Sequence, residues 1–152
     1  MYTLTTTLNR IRACSPCKDG WSTLLRSMPD MDHDTEFNIL RVLDSNGVQD
    51  MLWCLRATEG KSAIVALAVA FAESVLYVFE SVKPGDNRPR LAIEAAKAYL
   101  ADPSRDAADA AARAAADAAA RAAGYTSYAD AAARAADAAA NAQIEIILSI
   151  LE

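Results

Sequence analysis

Large rings are scarce in this chain: two tryptophans, three phenylalanines and five tyrosines make up 7% of its 152 residues. A core short of rings must be filled by aliphatic and small side chains, and alanine supplies much of the apolar content of the second half. That composition suits helices, which favour alanine and leucine, far better than sheets. A basic stripe is missing as well. The net charge is −5, opposite in sign to the surface that phosphate-backbone binding requires, so direct nucleic-acid binding is not expected. The acidity could instead imitate a nucleic acid, but Arg and Asp alternate in the acidic half, which is the pattern of a solvated face.

The opening residues are polar and threonine-rich, without the apolar stretch of a secretory signal, which makes the cytoplasm the expected compartment. The longest apolar run, residues 63–79, falls short of the roughly 20 residues that span a bilayer, and it carries Glu73. It reads as a buried helix, with no membrane involved. Cys14, Cys17 and Cys54 form an odd set, so no disulfide framework is indicated. The single histidine, His33, has no Ser or Cys placed to use it in a recognisable nucleophilic arrangement. The reading is therefore of a protein without catalysis or cofactor. At 152 residues the chain has the usual size of one domain, here divided into a short-helix half (1–61) and a longer-helix half (62–152).

Along the chain, Leu4, Leu8 and Ile11 recur at helical spacing, and Ser15-Pro16 predicts an N-cap and first-turn proline for the next helix. Trp21, Leu24, Leu25 and Met28 form its stripe, closed by Pro29. The acidic run from Asp30 to Glu36 leads into a predicted short helix carrying Phe37, Leu40 and Leu43. Ser45-Asn46-Gly47 is a predicted turn, because Asn and Gly tolerate left-handed backbone. A helix with Val48, Met51, Leu52 and Leu55 follows and ends at Gly60. Residues 62–82 show two apolar stripes, one of them Ile64, Leu67, Phe71, Val75, Val78 and Val82, which predicts a central helix packed on two sides. Pro84-Gly85-Asp86-Asn87 breaks the chain before a helix starting at Pro89. Asp109, Arg113, Asp117 and Arg121 then lie four apart in a run of alanine, spaced for ion pairs along one helix. An Ala-Asp-Ala-Ala-Ala-Arg-Ala-Ala octet recurs from residue 108 and from residue 129, which predicts a closely packed αα-hairpin. The last segment carries Ile144, Ile147, Leu148 and Leu151 on one stripe, with Ile146 and Ile150 beside it. The expected fold is all-α, a compact bundle of about seven or eight helices.

Several groups of residues invite a chemical role and must be weighed against plainer ones. Cys14-Ser15-Pro16-Cys17 places a thiol in the first turn of a helix, where the dipole stabilises thiolate as in disulfide oxidoreductases, but the strand-then-helix context of those enzymes is absent. Small helix-end cysteines are the simpler reading. Adding Cys54 and His33 would complete a Cys3His zinc set, at a spacing that matches no standard structural site. Asp30 to Glu36 resembles the start of a calcium loop, yet its sixth position lacks Gly and Arg41 stands at the twelfth. Asp34 is expected instead to cap the following helix. Arg88 and Arg90 flank Pro89 at a helix start, where cations oppose the macrodipole; an Arg90 to Glu94 pair is available, and a contact to a partner is the alternative. Trp21 and Trp53 fit core packing, or an interface anchor. Ile146 and Ile150 widen the C-terminal stripe beyond what one neighbour covers, offering a surface to a partner or to a second copy of the chain.

The stretch Arg88-Pro89-Arg90-Leu91-Ala92-Ile93-Glu94-Ala95-Ala96-Lys97-Ala98-Tyr99-Leu100, with the Ala/Asp/Arg helices after it, resembles the alanine-rich immunity proteins of bacterial toxin systems. Leu43-Asp44-Ser45-Asn46-Gly47 and Leu52-Trp53-Cys54-Leu55-Arg56 resemble a segment of phage and prophage proteins. The resemblance implies a small helical inhibitor that binds and blocks a protein, either a toxin or a host defence effector. A phage counter-defence protein, for example an anti-CRISPR, has the same binding chemistry with a different target. A thiol redox or metal protein using Cys14 and Cys17 is the third reading.

Overall fold

The computed structural model describes residues 2–104 and 143–151. Helices dominate: α1 (Leu8–Ala13), α2 (Lys18–Ser27), α3 (Leu40–Asn46), α4 (Val48–Cys54), a single 3-10 turn (Leu55–Ala57), α5 (Lys61–Val82) and α6 (Arg88–Ala101), then a C-terminal helix over residues 143–151. Two short strands, β1 (Thr5–Thr6) and β2 (Phe37–Asn38), pair antiparallel with Thr6 opposite Phe37. Among the described residues the fold is all-α apart from this ladder. The described residues belong to two units, one of residues 1–64 with 147–152, the other of residues 65–146. The alanine-rich hairpin expected after residue 106 lies outside the described residues.

In the first unit the strand pair replaces two expected helical turns. Leu4 is buried beside β1 rather than on a helix, and Phe37 lies in β2 with the helix beginning only at Leu40. The cause is polar: Thr6, fully buried, donates its hydroxyl to the Ala57 carbonyl at 2.8 Å, and Ile39 N–H donates to Leu4 O at 3.0 Å. Those partners reward an extended chain. Thr7 then caps α1, its hydroxyl accepting from Arg10 N–H at 3.1 Å. The α1–α2 junction also departs from expectation. Ser15 sits at φ +59°, in the left-handed region, so it cannot hold the extended N-cap geometry. Cys17 takes that place at the head of α2, its Sγ accepting from Gly20 N–H at 3.4 Å.

Asp34 caps no helix. Its N–H donates to the Asp32 carboxylate at 2.8 Å, and its own carboxylate accepts from the Asn9 amide at 2.7 Å, which ties the acidic loop to α1. The predicted turn at residues 45–47 shrinks to Gly47 alone, at φ +85°; Ser45 and Asn46 complete the last turn of α3. That single hinge residue lets α3 and α4 follow one another directly. The core of this unit includes Leu8, Ile11, Leu24, Ile39, Val42 and Met51, and the C-terminal helix adds Ile147 and Leu151. Tyr2 N–H donates to Ile150 O at 2.7 Å, joining the two ends of the chain.

The helix α5 forms over 22 residues, longer than the apolar run itself, and from Val65 onward it belongs to the second unit. By length and composition alone it could cross a membrane, so length does not separate that reading from a buried helix. The expected burial on two sides holds only in its first half. Leu67 and Val69 are buried, whereas Val75 is 46% and Val82 47% exposed. Glu73 pairs with Lys97 on α6. Glu80 accepts from Arg90 at 2.6 and 3.0 Å, so Arg90 reaches back to α5 instead of forward to Glu94. Ion pairs between two helices fix their register in a way that a pair within one helix cannot.

Candidate functional site

The first unit holds a cleft of about 120 Å³ whose walls come from α1, α2, α3 and α4, with Pro16 and Cys17 at its α2 end. Its apolar walls are Ile11, Trp21, Leu24, Val42 and Trp53; its polar groups are Cys17, Asn46, Asp50 and Cys54. The local sequence explains how the Asp50 side chain of α4 reaches the first turn of α2. A Cβ on Gly20 would stand 2.7 Å from Asp50 Oδ2 and 3.1 Å from Cys17 Sγ, so only glycine admits that carboxylate. Asn46 then locks the junction with both amide hydrogens, one to Gly20 O at 2.9 Å and one to Asp50 Oδ2 at 2.8 Å. Asp50 has no cationic partner within ion-pair distance among the described residues.

Trp53 is half-buried, and the Arg56 guanidinium lies 4.4 Å from its ring centroid. Arg56 Nε also donates to Trp53 O at 2.9 Å. Trp21, half-buried too, meets His33 edge to face at 6.4 Å. Both tryptophans therefore combine packing with exposed ring area. Cys14, Cys17 and Cys54 are free thiols. Cys54 is buried, and burial, with the Asp50 and Cys14 charges adding and Arg56 opposing, pushes its pKa up to about 11. Such a thiol is held protonated and is a poor nucleophile or metal ligand. Among the described residues no three His, Cys, Asp or Glu side chains are grouped as a metal ion needs.

The remaining expected contact residues lie elsewhere. Arg88 donates Nε to Asp86 at 2.6 Å and forms a second bond to the same carboxylate, and Arg90 is tied to Glu80. Ile146 and Ile150 are half-buried. The cleft was not legible in the sequence, although a signal existed: Gly20 stands within a predicted helix, beside the first residue of its stripe, where glycine costs up to about 1 kcal/mol and so marks a close approach.

A short-helix unit bearing a cleft, followed by a long apolar helix ion-paired to its neighbour, places the chain among small helical proteins. The family model described as Imm-5 like putative immunity protein matches residues 55–145, and the chain belongs to that family. The match takes in α5, α6 and the alanine-rich stretch, in agreement with the resemblance carried by residues 88–100. The cleft-lining residues, 11–54, all precede it. Comparison with curated proteins and with solved structures returns no match.

Proposed function

We propose that this chain is an immunity-type inhibitor that binds a bacterial toxin and blocks it stoichiometrically. Family membership over residues 55–145 is the observation that carries the reading. The physical support comes from the same region: Tyr77 is 71% and Leu91 50% exposed, with Val75 and Val82 close to half, an apolar endowment suited to a protein contact. Arg88 and Arg90 hold structure first through Asp86 and Glu80, and would meet a partner only at the rim. Ile146, Ile150 and Trp53, half-buried, keep some area for contact.

The test is protection. Genes flanking this one are screened for toxicity in a heterologous host, each toxic one is expressed with and without it, and growth is followed together with co-purification. Protection accompanied by a one-to-one complex is the expected result, and Tyr77→Ala and Leu91→Ala together should weaken it without lowering the melting temperature. A chain that protects against none of the adjacent toxins overturns the proposal.

A further inference from the structure

We propose that the cleft of the first unit is a socket for an arginine side chain of the protein partner; this rests on the immunity reading and adds to it a site that lies before residue 55. The cleft holds the volume of one long side chain, about 120 Å³, too little for a helix or a nucleotide. Within it stands the Asp50 carboxylate, half-buried, accepting from the neutral amide of Asn46 and paired with no cation among the described residues. Withdrawing a carboxylate from water is costly unless a charge or good donors compensate. An anionic guest would be repelled, and an aliphatic guest would strip water from Asp50 while offering nothing in return. A cation is the guest whose charge matches.

The walls choose among cations. Trp21 and Trp53 both line the cleft, and an indole attracts a cation placed over its face. Guanidinium is planar, stacks on rings and presents a fork of donors to a carboxylate, whereas ammonium is compact and strongly hydrated. The chain already makes this interaction once: Arg56 lies 4.4 Å from the centroid of Trp53. The socket is also built in advance, since Gly20 clears the space for Asp50 and Asn46 holds that carboxylate in place. The net charge of −5 draws a basic partner toward it.

Because the chain has only two tryptophans and both line the cleft, their two indole N–H resonances report on this site alone. The experiment titrates the full chain with N-acetyl-arginine amide, with the citrulline amide of the same shape but no charge, and with the lysine and leucine amides. Saturable shifts of both indole signals with the arginine amide, about tenfold weaker for citrulline, are expected from a charge-assisted bond against a neutral one. Asp50→Asn, which still accepts from Asn46, should abolish the preference while leaving the melting temperature unchanged. Lysine amide binding more weakly than arginine amide supports the stacking argument. Equal response to arginine and citrulline amides, no saturation with any probe, or a preference that survives Asp50→Asn overturns the socket. The outcome is independent of protection: a chain that protects but does not discriminate the amides loses only the socket, and one that discriminates but fails to protect loses only the toxin reading.

Discussion

Ile147 and Ile144 sit three residues apart on the C-terminal helix, one with 0% and the other with 37% of its surface exposed. Their truncations therefore separate a core role for that helix from a surface one. Ile147→Ala removes three buried carbons, worth about 0.8 kcal/mol each by transfer, and leaves a cavity that raises the total to roughly 2–5 kcal/mol. Ile144→Ala removes carbons already partly wet and should cost less than about 1 kcal/mol. In a chain of this length each kcal/mol shifts the melting temperature by roughly 2–4 °C, so the two variants should melt clearly apart. Urea titrations read by far-UV circular dichroism give the free energies, with Ile147→Val, at about 0.5–1.5 kcal/mol, as the graded control. If Ile147→Ala lies within about 0.5 kcal/mol of the parent, the helix does not plug the first unit and the placement of its last two turns is wrong. An equal loss from Ile144→Ala would show instead that the covered stripe is wider than the structure has it.

Two further outcomes follow from particular groups. Thr6→Val keeps the shape of the side chain but leaves the Ala57 carbonyl without its 2.8 Å donor; a loss of about 1–3 kcal/mol is expected, smaller for Thr6→Ser, and a Val variant as stable as the parent would mean that water reaches that carbonyl. Cys54 titrates at about 11 in the folded chain against 9.0 for an ordinary thiol, so its contribution is complete below the lower value and is lost as pH rises through the upper one, because the unfolded chain gives up its proton first; urea midpoints across that window should fall more steeply for the parent than for Cys54→Ala, and identical slopes would refute the burial of the thiol.

Periodicity made the helices legible because helix formation here is mainly a matter of apolar spacing and stops. Residues 62–82 and the break at Pro84 were readable for that reason, and α5 and α6 appear where the pattern puts them. The strand pair was not readable. Leu4, Leu8 and Ile11 keep helical spacing while Leu4 lies beside an extended segment, since what decides there is a hydroxyl at Thr6 reaching a carbonyl 51 residues away. The same holds for the caps. Ser15-Pro16 is the better N-cap pair by local chemistry, yet a left-handed Ser15 hands the task to Cys17, a weaker acceptor, because the turn from α1 to α2 has to be made first. Local preference ranked the candidates, and the tertiary path chose among them.

The site divides along the same line. Trp53 could be picked out as an anchor from its size and position, but what gives it a chemical context, the Asp50 carboxylate and the guanidinium of Arg56, arrives from one turn before and one turn after along α4 and the 3-10 turn. Asp50 looked like one more acidic residue in an acidic chain. Its character comes from Gly20, thirty positions earlier, whose missing side chain is what lets a charged oxygen stand against α2. The family match, in contrast, follows residues 55–145, where the alanine-rich composition that carries the resemblance is also found. On the proposed function the chain needs a scaffold and a means of telling one toxin from another, and specificity gains most from a charge that a wrong partner covers and leaves unpaired. Asp50, half-buried at the cleft, would be such a charge once a partner covered it, and it lies in the part of the chain that the family model does not match. If the proposed toxin binding holds, Asp50→Asn narrows the difference in dissociation constant between the cognate toxin and its relatives, by weakening the first more than the second; an unchanged ratio in calorimetric titrations would refute the role given to Asp50.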